Sequence, residues 1–313
     1  PKGGAGQGAR AVLEGLPAIL KLCRVALAIP GQRLEERVEE QAMDRRLTPY
    51  SGRVAHVSLS GAVNAPLTEG LQAQVIVPVA NLCQSPNGAR DRQLLMGDAV
   101  TVIDRDQGHV FVMSAKDGYC GWMAENTLGQ GPEPTHWVAS PGTHLYAEPQ
   151  VQAPDKMALS MGTRLTVIGS WGAWANTPHG FVPLRHLRAL GDWEEDPVAV
   201  AESLLGTPYL WGGNSRAGID CSGLAQASFA ACGLTIPGDS DLQHAAFPAV
   251  GDIRRNDLLF WPGHVAIALG PDRMIHATAF AMAVITEAIP DAIARIAAAG
   301  EGPFRGARRV AMD

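Results

Sequence analysis

Apolar and polar residues alternate with a period of two through the middle of the chain. Residues 96–103 read MGDAVTVI and residues 161–168 read MGTRLTVI. Each copy leads into a Gly-containing turn, another short strand and an aromatic closing segment, YCGWMAENTL (119–128) and GFVPLRHL (180–187). Short strands of this period, broken by Gly and Asp, predict small β-barrels. Their tandem repetition predicts two of them, over residues 44–131 and 132–190.

The pattern changes after GDWEEDP (191–197), an acidic stretch that reads as a linker or helix start. VAVAESLLG (198–206) carries one apolar helical face, with Gly206 as its stop. A second helix is predicted from Cys221 to about Cys232. DLLFWPG (257–263), HVAIALG (264–270) and RMIHATA (273–279) read as three successive strands joined by Pro and Gly turns. Residues 191–313 are therefore predicted to form an α+β unit with helices on an antiparallel sheet.

Residues 1–43 read as an N-terminal extension. Its apolar stretch, residues 12–30, is interrupted by Glu14, Lys21 and Arg24 and contains Pro17. It fits neither a membrane span nor a signal peptide, which favours a cytoplasmic location and an amphipathic or loosely ordered segment. Residues 1–10 are linker-like, and Met43 is a candidate internal start.

Composition narrows the function classes. Lys and Arg number 25 against 31 Asp and Glu, a net charge of −6 with no basic run, which argues against nucleic acid as a partner. The five cysteines, Cys23, Cys83, Cys120, Cys221 and Cys232, include no CxxC pair, so a zinc ribbon and a thioredoxin-type motif are excluded. A disulfide scaffold is not expected in a chain of this size.

The candidate chemistry lies in GTPYLWGGNSRAGIDCSGLAQASFAACG, residues 206–233. Gly212, Gly213 and Gly218 make the approach to Cys221 a sharp loop, and a helix starts at the cysteine. A sulfur at a helix N-terminus faces unpaired N–H groups and the positive end of the macrodipole. That setting is expected to draw the thiol pKa from about 8.5 towards neutrality and to supply oxyanion donors. The alternative is a small buried core cysteine. His264 opens one predicted strand and His276 lies on the next, so the two rings can meet in an antiparallel pair. Nucleophile, base and orienting group would then be complete. A zinc site built from the same three residues is the lesser alternative, because no close-spaced ligand pair accompanies them. Gly212-Gly213 is not followed by GK[ST], so it is no phosphate loop. No metal or cofactor is expected.

The segments PYLWGG…DCSGL, FWPGHVAIALG and MIHA resemble the NlpC-type cell-wall peptidases over about residues 192–313. The resemblance implies a papain-like fold with Cys221 as nucleophile, His264 as general base and acid, His276 as the orienting residue, and Tyr209 beside the oxyanion site. Two SH3-like domains ahead of the peptidase resemble the subfamily that cleaves free murein peptides. Those enzymes cut between γ-D-glutamate and the diamino acid, on peptides with a free N-terminal L-Ala. The resemblance implies that the first barrel reaches over the site, that Tyr119 lines it, and that Asp98 meets the substrate ammonium. It further implies that Asp220 and Ser222 bind substrate, that Trp211 forms the pocket wall, and that Asp239 and Ser240 contact the peptide. Local alternatives are a turn role for Asp98, packing on Trp122 for Tyr119 and a loop or helix-cap role for Asp239. Two departures stand out. Gly238 occupies a position where many relatives carry arginine, and Asp98 is one methylene shorter than the expected glutamate. A non-catalytic wall-binding module, and an amidase or acyltransferase using the same cysteine, are the competing functions.

Overall fold

The computed structural model describes residues 43–312, so the readings made for residues 1–42 lie outside the described residues. The first repeat copy opens a turn and then the strand Ala99–Asp106, which pairs with His109–Ser114 in a hairpin. Gln107 and Gly108 form its two-residue turn with φ values of 49° and 75°, the left-handed geometry that matches the strand twist. The hairpin belongs to a seven-stranded antiparallel sheet. Its order runs from Arg90–Leu95 through Val79–Cys83, Cys120–Ala124, His109–Ser114, Ala99–Asp106 and Leu71–Val75 to Leu128–Gly129. Alternate residues, including Leu82, Leu94, Val100, Val102, Val110, Val112 and Met123, fill one core.

Residues 136–189 form two smaller antiparallel sheets, of three and five strands. Val138, Leu145, Leu159, Leu165, Ala175 and Val182 make their core, and Met96 joins it from the first repeat. The two repeat copies share a backbone detail, since Gly97 and Gly162 take φ values of 84° and 87°. They also touch: Arg164 N–H donates to the Met96 carbonyl at 2.9 Å. A Cβ at Gly97 would lie 2.3 Å from the Arg164 carbonyl oxygen, so glycine is needed there for both conformation and approach.

The C-terminal part begins with the helix Pro197–Ser203. Asp196 caps it, accepting from Val198 N–H at 3.2 Å, and Pro197 sits in its first turn, where no backbone donor is needed. The helices Cys221–Ala231, Ser240–Ala246 and Ile289–Ala298 follow. They flank a six-stranded sheet ordered Ala249–Val250, Ala307–Arg308, Leu258–Trp261, His264–Ala268, Arg273–Thr278 and Ala283–Ala288. Three of these strands are the ones the sequence predicts. Ala283–Ala288 and the helix Ile289–Ala298 were not anticipated, and Ser240–Ala246 starts where the helix-cap alternative for Asp239 puts a helix.

This sheet is covered on both faces, which explains why LLFW and VAIA read as continuous apolar runs. Leu258, Phe260, Val265, Ile267, Ile275 and Ala277 pack with Leu224, Ala225 and Phe229 of the Cys221 helix. The alternate residues Leu259, Trp261, Ala266, Ala268 and Met274 pack with Ile289, Ala292 and Ile296 of the last helix. By the same alternation His264 and His276 share the second face with Ala266 and Met274. Among the described residues no helix is long and apolar enough to cross a membrane.

Candidate active site

Cys221 is the first residue of its helix. Asp220 caps that helix and also holds the loop before it. One carboxylate oxygen accepts from Gly223 N–H at 2.6 Å and from the Ser222 hydroxyl at 3.0 Å; the other accepts from Gly212 N–H at 2.8 Å. The Cys221 sulfur lies 4.0 Å from the Gly263 carbonyl and receives the backbone N–H of Val265. It thus sits against the chain on both sides of His264. The two-residue Pro262-Gly263 turn, with Trp261 opposite His264 and Gly263 at φ 69°, brings that backbone to the helix head.

His264 Nε2 is 2.9 Å from His276 Nδ1, leaving His264 Nδ1 as the free ring nitrogen. His276 is fully buried, and its Nε2 lies 3.2 Å from Glu287, close enough for an ion pair although not aligned as a hydrogen bond. Arg295 grips Glu287 with two bonds of 3.0 and 2.7 Å. Tyr209 is tied by its N–H to the Met282 carbonyl at 2.9 Å. Burial, with Cys221 and Asp220 nearby, pushes its phenol up, so the hydroxyl stays a donor.

The expectation of a low-pKa thiol is corrected by the structure. Burial pushes Cys221 up to about 12 and Asp220 adds to this, while the N–H groups of Val265 and Ser222 pull the other way without prevailing. Burial, with His276 and Arg295, pushes His264 down to about 3, and burial also lowers His276. Both groups therefore rest uncharged, as a thiol and a neutral imidazole.

A stability consequence follows. Both imidazoles are neutral in the folded chain, whereas unfolded histidine takes up a proton near 6.5. The unfolded state binds more protons below that pH, so stability is present above about 6.5 and is lost as pH falls towards 3. His264 alone should account for about 2 kcal/mol by pH 4.5. Asp220, raised by burial, works in the opposite sense. Thermal melts at pH 7 and pH 4.5 should show a fall in Tm several degrees larger for the wild type than for His264→Asn; equal falls would count against the assignment.

The other predicted site residues fall into three groups. Tyr119, Asp239, Asp220 and Ser222 are drawn together. Tyr119 is 2% exposed, and its hydroxyl donates to Asp239 at 3.0 Å. Gln243 Nε2 donates to the Ser222 carbonyl at 3.1 Å and the Pro237 carbonyl at 2.9 Å, fastening the Asp239 loop to the head of the Cys221 helix. Asp239 stands at the cap position of Ser240–Ala246 but makes no side-chain cap bond, and Ser240 opens that helix half-buried. Trp211 is 68% exposed and projects from the loop, with its carbonyl accepting from Arg90 at 2.9 and 2.7 Å.

Asp98 departs from expectation. Its carboxylate accepts from Leu95 N–H at 2.9 Å and lies 3.9 Å from Lys116 Nζ. It lines a small cavity with Trp137, Trp193, Asn214 and Gln226, whose walls include none of Cys221, His264 and His276. The local turn role fits it better. The loop meets the first sheet at Asp91 through backbone only: the Asp91 carbonyl abuts Gly212, while its carboxylate is held by Arg45 at 2.6 and 3.0 Å.

Arg92 was not anticipated. It is 3% exposed and enters from the strand Arg90–Leu95. Its guanidinium donates to the Gly238 carbonyl, to Asp239 at 3.2 Å and to Gln226 at 2.8 Å, and its charge favours ionised Asp220 against burial. Gln226, on the Cys221 helix, donates in turn to Asp117 at 2.8 Å. A Cβ at Gly238 would lie 2.9 Å from Arg92 Nη1 and 3.0 Å from the Tyr119 ring. The missing side chain at 238 is what admits this arginine. Strand position could place residue 92, but nothing local marks its charge as buried.

Residues 206–293 match the NlpC/P60 family, and residues 82–128 match the bacterial dipeptidyl-peptidase Sh3 domain. The chain is 30% identical to the gamma-D-glutamyl-L-lysine dipeptidyl-peptidase of Bacillus subtilis (strain 168), over 59% of this chain and 71% of that protein. It is 28% identical to the enzyme of the same name from Bacillus cereus, over 59% of this chain and 66% of that one. It is also 28% identical to dipeptidyl-peptidase 6 of Lysinibacillus sphaericus, over 66% and 88%. An NlpC/P60 family protein from Bacillus cereus has the same fold, with a TM-score of 0.65 at 24% identity over 76% of this chain and 99% of that one. The chain belongs to the NlpC/P60 family of cell-wall cysteine peptidases, with an SH3 domain ahead of the papain-like peptidase fold.

Proposed function

We propose that the protein hydrolyses the γ-D-glutamyl–diamino acid bond of murein peptides that carry a free N-terminal L-Ala. The observation that carries this reading is the Cys221 sulfur held against the backbone on both sides of His264, whose ring is 2.9 Å from His276. The Cys221 proton passes to His264 Nδ1 as the sulfur attacks the γ-glutamyl carbonyl. The Cys221 N–H at the helix head and the Tyr209 hydroxyl stabilise the oxyanion. His264 then protonates the leaving amine, and a water deprotonated by the same ring cleaves the thioester.

Asp220, Ser222, Asp239 and Tyr119 form the end of the site that receives the substrate ammonium. Fixed carboxylates favour a peptide's terminus over its middle, since an internal peptide bond offers no cation. The docking of the first sheet through Arg92 supports a site narrowed from that side. The strand pattern supports reading residues 44–131 and 132–190 as two SH3-like units before a peptidase unit at 191–313. The names of the Bacillus relatives support the γ-D-glutamyl bond as the target.

The test is mass spectrometry of L-Ala-γ-D-Glu-L-Lys, and of its diaminopimelate counterpart, incubated with wild type and Cys221→Ala. Wild type should release L-Ala-D-Glu, the variant should release none, and N-acetylation of the peptide should suppress cleavage. Absence of L-Ala-D-Glu with wild type on both peptides overturns the reading.

A further inference from the structure

We propose that Glu287, clamped by Arg295, is a positioning residue that sets the tautomer and the charge of the His276–His264 pair. The inference rests on the reading of Cys221, His264 and His276 as the catalytic set and extends it by two residues. His276 is fully buried, with one nitrogen facing His264 at 2.9 Å and the other facing Glu287 at 3.2 Å. A carboxylate accepts and cannot donate at neutral pH, so His276 carries its proton on Nε2, towards Glu287. Its Nδ1 is then an acceptor and takes the Nε2 proton of His264. His264 Nδ1 is left with a lone pair, the form that can take the thiol proton. The carboxylate at one end thus fixes which nitrogen is basic at the other.

The fold makes this contact specific. His276 pairs with Ile285 across the sheet, so Glu287 is its diagonal neighbour on the same face. Arg295 projects from the helix that covers that face and holds both Glu287 oxygens, which limits the swing of the carboxylate. The exposed Phe280 ring stacks at 4.2 Å from the Arg295 guanidinium. Glu287 is only 16% exposed, so its charge is weakly screened.

The charge balance sets the direction of each effect. The groups facing His276 are His264 from the neighbouring strand, Glu287 from the other neighbour and Arg295 from the covering helix. Cys221, at the head of its own helix, lies against the backbone at Gly263 and Val265, on either side of His264. Helix Pro197–Ser203, packed against the same strand, contributes one charged residue, Glu202, which lies 3.8 Å from Arg255. Glu301 acts on Arg295 alone. Glu287 favours a protonated His276 and Arg295 opposes it. When the thiol proton moves to His264, a new imidazolium forms one ring away from the carboxylate and is stabilised by it. One proton moves, from sulfur to nitrogen, and none leaves the chain.

The test uses the full chain and two readouts. The first is the rate of Cys221 alkylation by iodoacetamide in short pulses between pH 2 and pH 9, read by mass mapping of the Cys221 peptide. The second is the kcat and KM profile on the murein tripeptide. Glu287→Gln should move the acid limb of alkylation down by at least half a pH unit and lower kcat about tenfold, with KM within twofold. Arg295→Met should move the same limb up. Glu287→Asp, which keeps the charge, should restore the wild-type limb while kcat stays reduced. Unmoved limbs, or shifts of the same sign in Glu287→Gln and Arg295→Met, overturn the proposal. If Glu287→Gln fails to fold, the direction of the Arg295→Met shift decides. Alkylation needs no peptide, so loss of tripeptide cleavage in the wild type with the opposed limb shifts intact would sink the substrate reading and leave the relay standing.

Discussion

Replacing His264 with alanine is expected to lower kcat/KM on the murein tripeptide by about 10⁴-fold while leaving the fold intact. The magnitude follows from the resting state of the pair. Burial holds Cys221 up at about 12, so solution hydroxide supplies almost no thiolate at pH 7 without a base alongside. General-base catalysis typically contributes 10²–10⁴-fold, and in the proposed mechanism the same ring also protonates the leaving amine, so the upper end applies. Steady-state kinetics at pH 7 with circular dichroism of the variant make the measurement. A loss below about tenfold in a folded variant would mean that another group takes the thiol proton. His264→Ala should also slow Cys221 alkylation, which separates loss of thiolate from loss of substrate binding.

Arg92→Met should lower stability by on the order of 3–5 kcal/mol, because it removes a buried cation and leaves its partners unpaired. The methionine fills similar volume, so the effect isolates charge and hydrogen bonding. Arg92 donates to the Gly238 carbonyl, Asp239 and Gln226, and its charge faces Asp117 and Asp220 as well. Removing it leaves these carboxylates without their shared buried cation, and burial already pushes Asp220 up. The Asp220 carboxyl should then protonate at higher pH, weakening its bonds to Gly212 and Gly223 and loosening the cap at Cys221. For a chain of this size the Tm should fall by roughly 10 °C. Scanning calorimetry checks this, and a Tm within 2 °C of wild type would show that the guanidinium is dispensable at this contact. Gly238→Ala supplies an independent probe. Its Cβ would press on Arg92 and Tyr119, so it should reproduce part of the same loss with every charge retained.

The cysteine at a helix head, the meeting of the two histidines and the strands carrying them were legible because their signals are local. A glycine-rich approach ending in DCSG marks a helix head, and apolar runs broken by Pro-Gly mark adjacent strands. The two-sided burial of the sheet was not legible, since its second cover, Ile289–Ala298, follows a strand of mixed character at Ala283–Ala288. Arg92, Glu287 and Arg295 were missed for one reason. A single charged residue in a strand or helix usually faces water, and only long-range packing turns it inward. The sign of the thiol shift was missed likewise. The helix head is a local feature that favours the anion, whereas desolvation depends on strands that arrive later in the chain and outweighs it. Asp98 failed for the opposite reason, because a local turn satisfied its carboxylate before any distant partner was needed.

The buried guanidinium also constrains inheritance. A lineage that exchanged its front module for an unrelated one would bring no cation to the pocket beside Gly238, and the buried Asp220 would lose the charge that offsets its burial. Shuffling at that junction is therefore penalised unless the recipient loop changes in the same step, so strand Arg90–Leu95 and loop Pro237–Asp239 should travel together through descent as one unit of selection.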